Sequence, residues 1–413
     1  MRTNLAITRK TKLAQAIALT LTALAVNPAQ ATDYSFTDLR FQPGTYSPVH
    51  DINNLGQAVG ELTTDAAAYA TAATYWDGAQ WHTLGGWQSL PWNSTLNVPV
   101  GSTHNVAYGI NDSDQIAGYT GAAWSISDMS YPTLWNNGVG TQLDVLQGPG
   151  SGGLVAGISN NGRLAGGGYD GGAILQNALT WNPGETAIHD LGTLGGSFSF
   201  VFSGKTVNDA GQIIGGSATT NDDAIHAVVW QNLVIHDLGT LGGTASSAFG
   251  INQGGQIIGY SNDLGDADVR AVLWADATSA PVDLGTLGGA NALATGINDL
   301  GQIVGWSDTA DGQAHLTLWD HGQIVDLTTY LAADLLASGL GIDTSTLAGP
   351  AYFGTRINNA GVILGNFADG NYTQTYSFLL PPAAVPVPGA VWLFGSALAG
   401  FMGMKRRKNS LAV

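Results

Sequence analysis

Short runs of β-branched and aromatic residues, broken every few positions by Asn, Asp and Gly, set the pattern of this chain, most plainly over residues 205 to 251. Asn208-Asp209-Ala210-Gly211 places Asn first and Gly fourth in a type I turn that closes through a left-handed glycine, so residues 205 to 207 are predicted to fold back on 212 to 217. Asn221-Asp222-Asp223 then loops into His226-Ala227-Val228-Val229-Trp230, whose composition suits a strand. A Gln231-Asn232 turn leads to a strand over 234 to 241, and Gly242-Gly243 leads to a last one ending at Ile251. Four short antiparallel strands per unit follow, numbered here from Gln-Ile-Ile as first to Gly-Ile-Asn as fourth. In such a meander the first-to-second and third-to-fourth connections leave from one face, and the other face receives tight turns.

The unit recurs. Its anchor residue is Asn53, Asn111, Ser159 in an Asn's place, Asn208, Asn252, Asn298 and Asn358, with successive differences of 58, 48, 49, 44, 46 and 60. That period suits a four-stranded propeller blade. A four-stranded unit cannot bury both faces alone, so copies must stack. The ends choose between an open stack and a closed one: Phe36-Thr37-Asp38-Leu39 matches the Asp-Leu-Gly strand, and Thr375 to Leu380 matches the strand before it. The expected fold is therefore all-β, a β-propeller of about seven four-stranded blades closed by both termini, which leaves no open edge.

Repeated residues are read as scaffold. The aspartates at 38, 144, 190, 237, 283 and 326, the glutamines at 57, 115, 212, 256 and 302, and the tryptophans at 76, 135, 181, 230, 274 and 319 recur at one place in the unit. Turn capping and packing between blades account for them. Unrepeated material gathers on the loop-bearing face: residues 86 to 105 with Trp87 and Trp92, 120 to 130 with Trp124, and 328 to 355 with Tyr330. On the same face lie Asp222, Asp223, Asp263, Asp266, Asp268, Asp308 and Asp311. Aromatic platforms beside polar groups suit sugars, with a hydrophobic lid built from residues 330 to 337 as the plainer alternative. The oxygens of Asp263, Asp266 and Asp268 could hold Ca2+, although their spacing is not that of an EF-hand loop.

The termini carry different signals. Arg2, Arg9, Lys10 and Lys12, an apolar run over 13 to 26 and Ala29-Gln30-Ala31 form a secretory signal peptide over residues 1 to 31. Residues 32 to 380 hold the repeats, 381 to 388 a Pro-rich linker and sorting box, 389 to 404 a short hydrophobic transmembrane helix, and 405 to 413 a basic cytoplasmic tail. There is no cysteine, so packing alone must hold the core. Eight of the 13 Lys and Arg lie in the two terminal signals; the remaining 5 face 30 acids, a net −25 that opposes nucleic acid and anionic lipid. Glu61 and Glu185 are the only glutamates.

Two resemblances sharpen this. Pro386 and Pro388 in a Val-Pro-Val-Pro box, a Trp-Leu-Phe-Gly-Ser helix, and the terminal cluster with Arg406 and Arg407 resemble the PEP-CTERM sorting domain of Gram-negative bacteria, with Val387 where that family has Glu. The resemblance implies an exosortase-type sorting enzyme as partner, membrane attachment through the C-terminal helix before processing, and a cell-surface or extracellular location. Asp-Leu-Gly-Thr-Leu-Gly-Gly at Asp190, Asp237 and Asp283, the Gly-Ile-Asn-x-x-Gly-Gln phrase and His226-Ala227 are similar to the HAF repeat family of extracellular bacterial proteins. That family supplies no activity to carry over, and Arg270-Ala271 and His315-Leu316 depart from its His-Ala. The chain has no nucleophile-elbow Gly-x-Ser-x-Gly, no His-x-x-x-His pair and no phosphate-binding glycine loop. The expected role is binding or structural, at an exopolysaccharide or biofilm matrix. The alternatives are a propeller hydrolase or lyase acting on polysaccharide, and a calcium-dependent adhesion module.

Overall fold

The computed structural model describes residues 37–39, 48–65, 70–84, 103–122, 130–146, 151–169, 177–328, 355–368 and 375–382. Among them are 28 strands and a single 3-10 turn at Thr220–Asp222, and no helix is long and apolar enough to cross a membrane. Tyr34–Pro381 forms one compact unit. The calls made on residues 1 to 31 and 383 to 413, including Pro386, Pro388, Arg406 and Arg407, lie outside the described residues.

The strands form four-stranded antiparallel meanders. The fifth of them is Gly242–Ile251, Ile257–Asp263, Val269–Trp274 and Val282–Asp283, paired in that order. The first spans residues 49–83, the second 103–142, the third 152–190, the fourth 195–237 and the sixth 288–326. Single parallel bridges, Thr71↔His104 and Ile225↔Ala245, join the first to the second and the fourth to the fifth into eight-stranded sheets. The seventh meander has the order Arg356–Ile357, Ile363–Ala368, Thr375–Leu380, Thr37–Asp38, with Thr37 opposite Leu379 and Asp38 opposite Phe378. The chain start thus completes the sheet of the chain end, as the matching phrases predict.

One expectation is corrected. The Gly-Ile-Asn strand is the first strand of a sheet and not its fourth: Ile251 pairs with Ile257 of the following Gln-Ile-Ile strand, while the preceding Asp-Leu-Gly strand pairs only with Ile225–Gln231. A repeat period has no phase of its own, and the type I turn at Asn252 makes a hairpin of the two strands that the sequence numbering had separated.

The core sits between consecutive meanders. Ile214, Val229 and Leu238 of the fourth pack on Ile251, Val272 and Trp274 of the fifth, and Leu364 and Leu379 of the seventh pack on Val49 and Ile52 of the first. The repeated tryptophans tie the layers together. Trp274 Nε1 donates to Leu238 O at 2.7 Å, Trp319 Nε1 to Gly285 O at 3.2 Å and Trp181 Nε1 to Asp144 O at 3.3 Å. Each buried indole contributes roughly 2–3 kcal/mol through the apolar area it hides.

Asparagine side chains join the tight turns. Asn252 Oδ1 accepts from Gln256 N at 2.9 Å, while Nδ2 donates to Gln256 Oε1 at 2.8 Å and to Asn298 O at 3.1 Å. The same reach links Asn53 to Asn111 O, Asn111 to Ser159 O, Asn208 to Asn252 O and Asn298 to Asn358 O, and Asn358 Nδ2 donates to Asn53 O at 3.0 Å. Between the third and fourth meanders, where Ser159 is too short, Asn161 donates instead to Asp209 Oδ1 and O. The sequence reading of the repeated Asn and Gln as scaffold therefore holds.

Candidate functional site

In five of the units the first strand carries a bulge three residues before the anchor Asn or Ser. Register slips between Val49 and Asp51, Ala107 and Gly109, Val155 and Gly157, Ala248 and Gly250, and Ala294 and Gly296. The bulge turns a carbonyl toward the next strand, where only glycine fits: a Cβ on Gly259 would stand 1.9 Å from Ser247 O, and one on Gly118 1.9 Å from Val106 O. The flanks repeat, but the bulged residue does not: it is His50, Tyr108, Ala156, Phe249 and Thr295 in these five units. The residue after the obligatory glycine also differs, being Glu61, Tyr119, Gly167, Gly216, Tyr260, Trp306 and Asn366. A bulge leaves one residue unpaired and re-aims its side chain while pairing resumes on either side, so this pair of positions can vary on a constant frame.

The two positions meet. His50 Nε2 lies 3.6 Å from Glu61 Oε1, the Tyr108 and Tyr119 rings are 5.8 Å apart, and the Phe249 and Tyr260 rings 5.9 Å. In the first two meanders this becomes one polar cluster. His104 Nε2 stands 3.7 Å from Glu61 Oε2, Tyr119 Oη lies 3.3 Å from His104 Nδ1, and the His50 ring meets Tyr108 edge-on at 4.9 Å. Burial pushes the Glu61 carboxyl up, but the His104 and His50 imidazoles beside it prevail and hold it down at about 2. Burial also drives the Tyr119 hydroxyl upward, with Tyr108 and Glu61 adding to it. Glu61 is thus an ionised carboxylate clamped between two imidazoles, and Nε2 of His50 has no hydrogen-bond partner.

In the fourth and fifth meanders the same wall is aromatic. Phe198, Phe200, Phe202, Phe249 and Tyr260 form a continuous row of half-buried rings, with Phe202 and Phe249 stacked at 4.3 Å. Beneath lie buried charges. The position that is Gly109, Gly157, Gly250 and Gly296 in four units and Thr206 in the fourth is Asp51 in the first meander and Arg356 in the seventh. Arg356 donates to Thr295 O at 3.0 Å, Thr355 O at 3.1 Å and Ser203 O at 2.5 Å, reaching the sixth and fourth meanders from the seventh. Burial raises Asp51, with Lys205 and Arg356 opposing it, and Asp51 Oδ2 accepts from Ile110 N at 3.2 Å.

Trp87, Trp92, Trp124 and Tyr330 lie outside the described residues. Asp263, Asp266 and Asp268 are described and serve turns. Asp263 Oδ1 accepts from Ala267 N and Asp268 N, and Asp266 accepts from Thr244 N at 2.7 Å, Thr244 Oγ1 and Asn262 Nδ2. Those bonds, led by the one from Thr244 N, lower the Asp266 carboxyl. Asp222 accepts from Ser197 N and Asp308 from Asn291 N in the same manner, so the acidic positions are themselves repeated scaffold. Among the described residues no group of three His, Cys, Asp or Glu could hold a metal ion. The Asp-Leu-Gly aspartates cap their own turns, as at Gly192, Gly239 and Gly285, each at 2.8 Å. Their second oxygen takes His226, Arg270 or His315, so the histidine of His-Ala is one of several interchangeable donors.

The His50, Glu61 and His104 cluster was missed by sequence reasoning, although Glu61 stood out as one of two glutamates. The signal available was its place after the obligatory glycine, where no other unit has an acid.

Neither a family model nor a curated protein matches the chain by sequence. Among solved structures, Trypanosoma rangeli sialidase is similar at 11% identity and a TM-score of 0.40, covering 91% of this chain and 63% of that one. TolB from Acinetobacter baumannii is similar at 10% identity and 0.39, covering 80% and 65%. The beta-propeller domain of the Trilobed protease from Pyrococcus furiosus is similar at 9% identity and 0.35, covering 69% and 99%. The chain thus spans less than two thirds of the sialidase and of this TolB. Scores this low carry no argument about this chain, whose reading rests on its own sheets.

Proposed function

We propose that the chain is a seven-bladed β-propeller closed by both termini, exported through its signal peptide, sorted by an exosortase-type enzyme, and active as a carbohydrate-binding protein of the extracellular matrix. Seven meanders, a chain of asparagine bonds that returns to Asn53, and a small cavity of about 40 Å³ lined by residues of all seven support the closed arrangement. Export and sorting rest on the terminal segments and on the resemblances to the PEP-CTERM and HAF families.

The observation that carries the binding reading is the variable wall on an invariant frame. Aromatic rings at Tyr108, Phe249 and Tyr260 offer faces for the apolar side of a pyranose, and Glu61, His50 and His104 offer acceptors and donors for hydroxyls. An ionised Glu61 in a domain of net −25 favours neutral glycans over uronate-rich ones.

A polysaccharide hydrolase is the second reading, favoured by one observation: Asp51, raised by burial, and Glu61, held low, are split as an acid and a base would be. Asp51 is 1% exposed and already bonded to Ile110, which sets it apart from substrate and favours binding.

Titration of the purified protein with a neutral extracellular polysaccharide, following binding and chain length together, tests both. Binding without shortening is expected, weakened about tenfold by Tyr108→Ala or Phe249→Ala. Shortening that is lost in Glu61→Gln moves the protein to the hydrolase class. Absence of binding sinks the carbohydrate reading.

A further inference from the structure

Between the third and fourth meanders, at the tight-turn end and away from the wall described above, lies a cleft of about 280 Å³. Three departures from the repeat meet at its walls. The first is Arg163, which stands where other units have Gln57, Gln115, Gln212, Gln256 and Gln302. It is one of only 5 basic residues outside the terminal signals. Its Nη1 donates to Asn182 Oδ1 at 2.9 Å, and no carboxylate among the described residues pairs with it. Space for the guanidinium is left by Gly211, where a Cβ would stand 3.3 Å from Arg163 Nε.

The second departure is Trp230. Its counterparts Trp181, Trp274 and Trp319 donate to a carbonyl of the preceding meander. Trp230 is 1% exposed, and its Nε1 has no partner. The backbone its N–H would meet by analogy is that at Leu191, just past the strand Ile188–Asp190, and Leu191 lines the facing wall of the cleft. A buried donor left unpaired is costly, and a bound oxygen is one way to satisfy it.

The third is Leu233, in the left-handed region at φ 64 beside Asn232 at φ 52. The equivalent turns use Asn137-Gly138 and His321-Gly322, with glycine where Leu233 stands. A γ-branched residue at that φ is strained, and it sets an apolar side chain, 53% exposed, at the rim of the cleft.

We propose that this cleft binds a small organic carboxylate, its acid group held by Arg163 with the Trp230 indole N–H as a second donor, and its apolar part against Leu191, Ile213 and Leu233. A planar guanidinium suits a carboxylate, and the volume lies at the small end of ligand pockets. The domain's net −25 makes an unpaired cation flanked by apolar walls a selective feature.

The test uses the purified full-length protein with benzoate and 4-methylpentanoate, each against its primary amide, by calorimetry and indole fluorescence. The carboxylates are expected to bind at millimolar concentration or below, at least tenfold tighter than the amides. Arg163→Gln and Leu233→Gly each install the residue that the repeat carries elsewhere, so both should fold, with thermal unfolding as the check. Arg163→Gln is expected to reduce carboxylate affinity at least tenfold, and Leu233→Gly to raise the unfolding temperature while weakening binding. No binding of either carboxylate at roughly 10 mM, equal binding of the amides, or affinity unchanged in folded Arg163→Gln overturns the proposal.

Discussion

The fifth meander and the first share a frame and use it differently. In the fifth, every charged side chain lies at a turn or an edge: Asp263 and Asp266 cap backbone N–H groups, and Arg270 pairs with Asp283 at 2.9 Å in partial contact with solvent. Its bulge carries Phe249, and the following inner position is Gly250. In the first, the bulge carries His50, the next residue is Asp51, and Glu61 follows the obligatory glycine, all buried or nearly so. Burying charge costs several kcal/mol per ion unless partners compensate. The regular unit thus defines the cheapest way to build the fold, and the departures in the first, second and seventh units mark where stability is given up for something else.

The widest separation between the two regions is expected at arginine. Arg356→Met removes three bonds to carbonyls and leaves Asp51 without its buried neighbour, so denaturant unfolding should show a loss of about 3–5 kcal/mol. Arg356→Lys should not restore it, because one ammonium cannot span Thr295, Thr355 and Ser203 together. An Arg356→Met loss below 1 kcal/mol would mean the buried charges are incidental.

Acid titration sharpens the same contrast. Glu61 is held at about 2 against an ordinary 4.5, so the unfolded chain binds the extra proton between those values. Stability from this group is present above pH 4.5 and lost as pH falls toward 2, by about 3 kcal/mol. Asp51, shifted the opposite way, works against it, so the measurement is the difference between wild type and Glu61→Gln, whose acid limb should be flatter. A parallel pair of curves would remove the His-Glu-His clamp from the account.

A turn in the regular region comes next. Asn252→Ala deletes two intraturn bonds and the link to Asn298, and a loss of about 2 kcal/mol in thermal or denaturant unfolding is expected. The smallest effect belongs to Arg270→His, which exchanges one Asp283 donor for the type found at His226 and His315; unfolding should change by less than about 0.5 kcal/mol. A larger effect there would show that the exposed pairs matter more than their interchangeability suggests.

Much of the scaffold was legible because its signals are local. The Asn-x-x-Gly turn, the alternating strands and the capping aspartates each act within a few residues, and the match between Asp38 and the Asp-Leu-Gly phrase was enough to set the strand at Thr37–Asp38 beside the one at Thr375–Leu380. The acidic positions were legible as residues but not as roles. Asp222, Asp266 and Asp308 looked unrepeated because loop lengths differ, yet each accepts from a backbone N–H in the first strand of its own meander.

By itself the sequence determined strand content, the recurrence of one unit, turn chemistry and the pairing of the two ends, since all of these follow from short-range periodicity and from matching one phrase with another. Only the tertiary structure decided where one sheet stops and the next begins, because a period carries no phase and the boundary depends on which strand finds which partner. The tertiary structure also decided what gathers where. His50, Glu61 and His104 are separated by 11 and 43 residues and meet through a bulge and a sheet-to-sheet bridge. Arg163, Leu191 and Trp230 meet only because two imperfect copies were packed face to face.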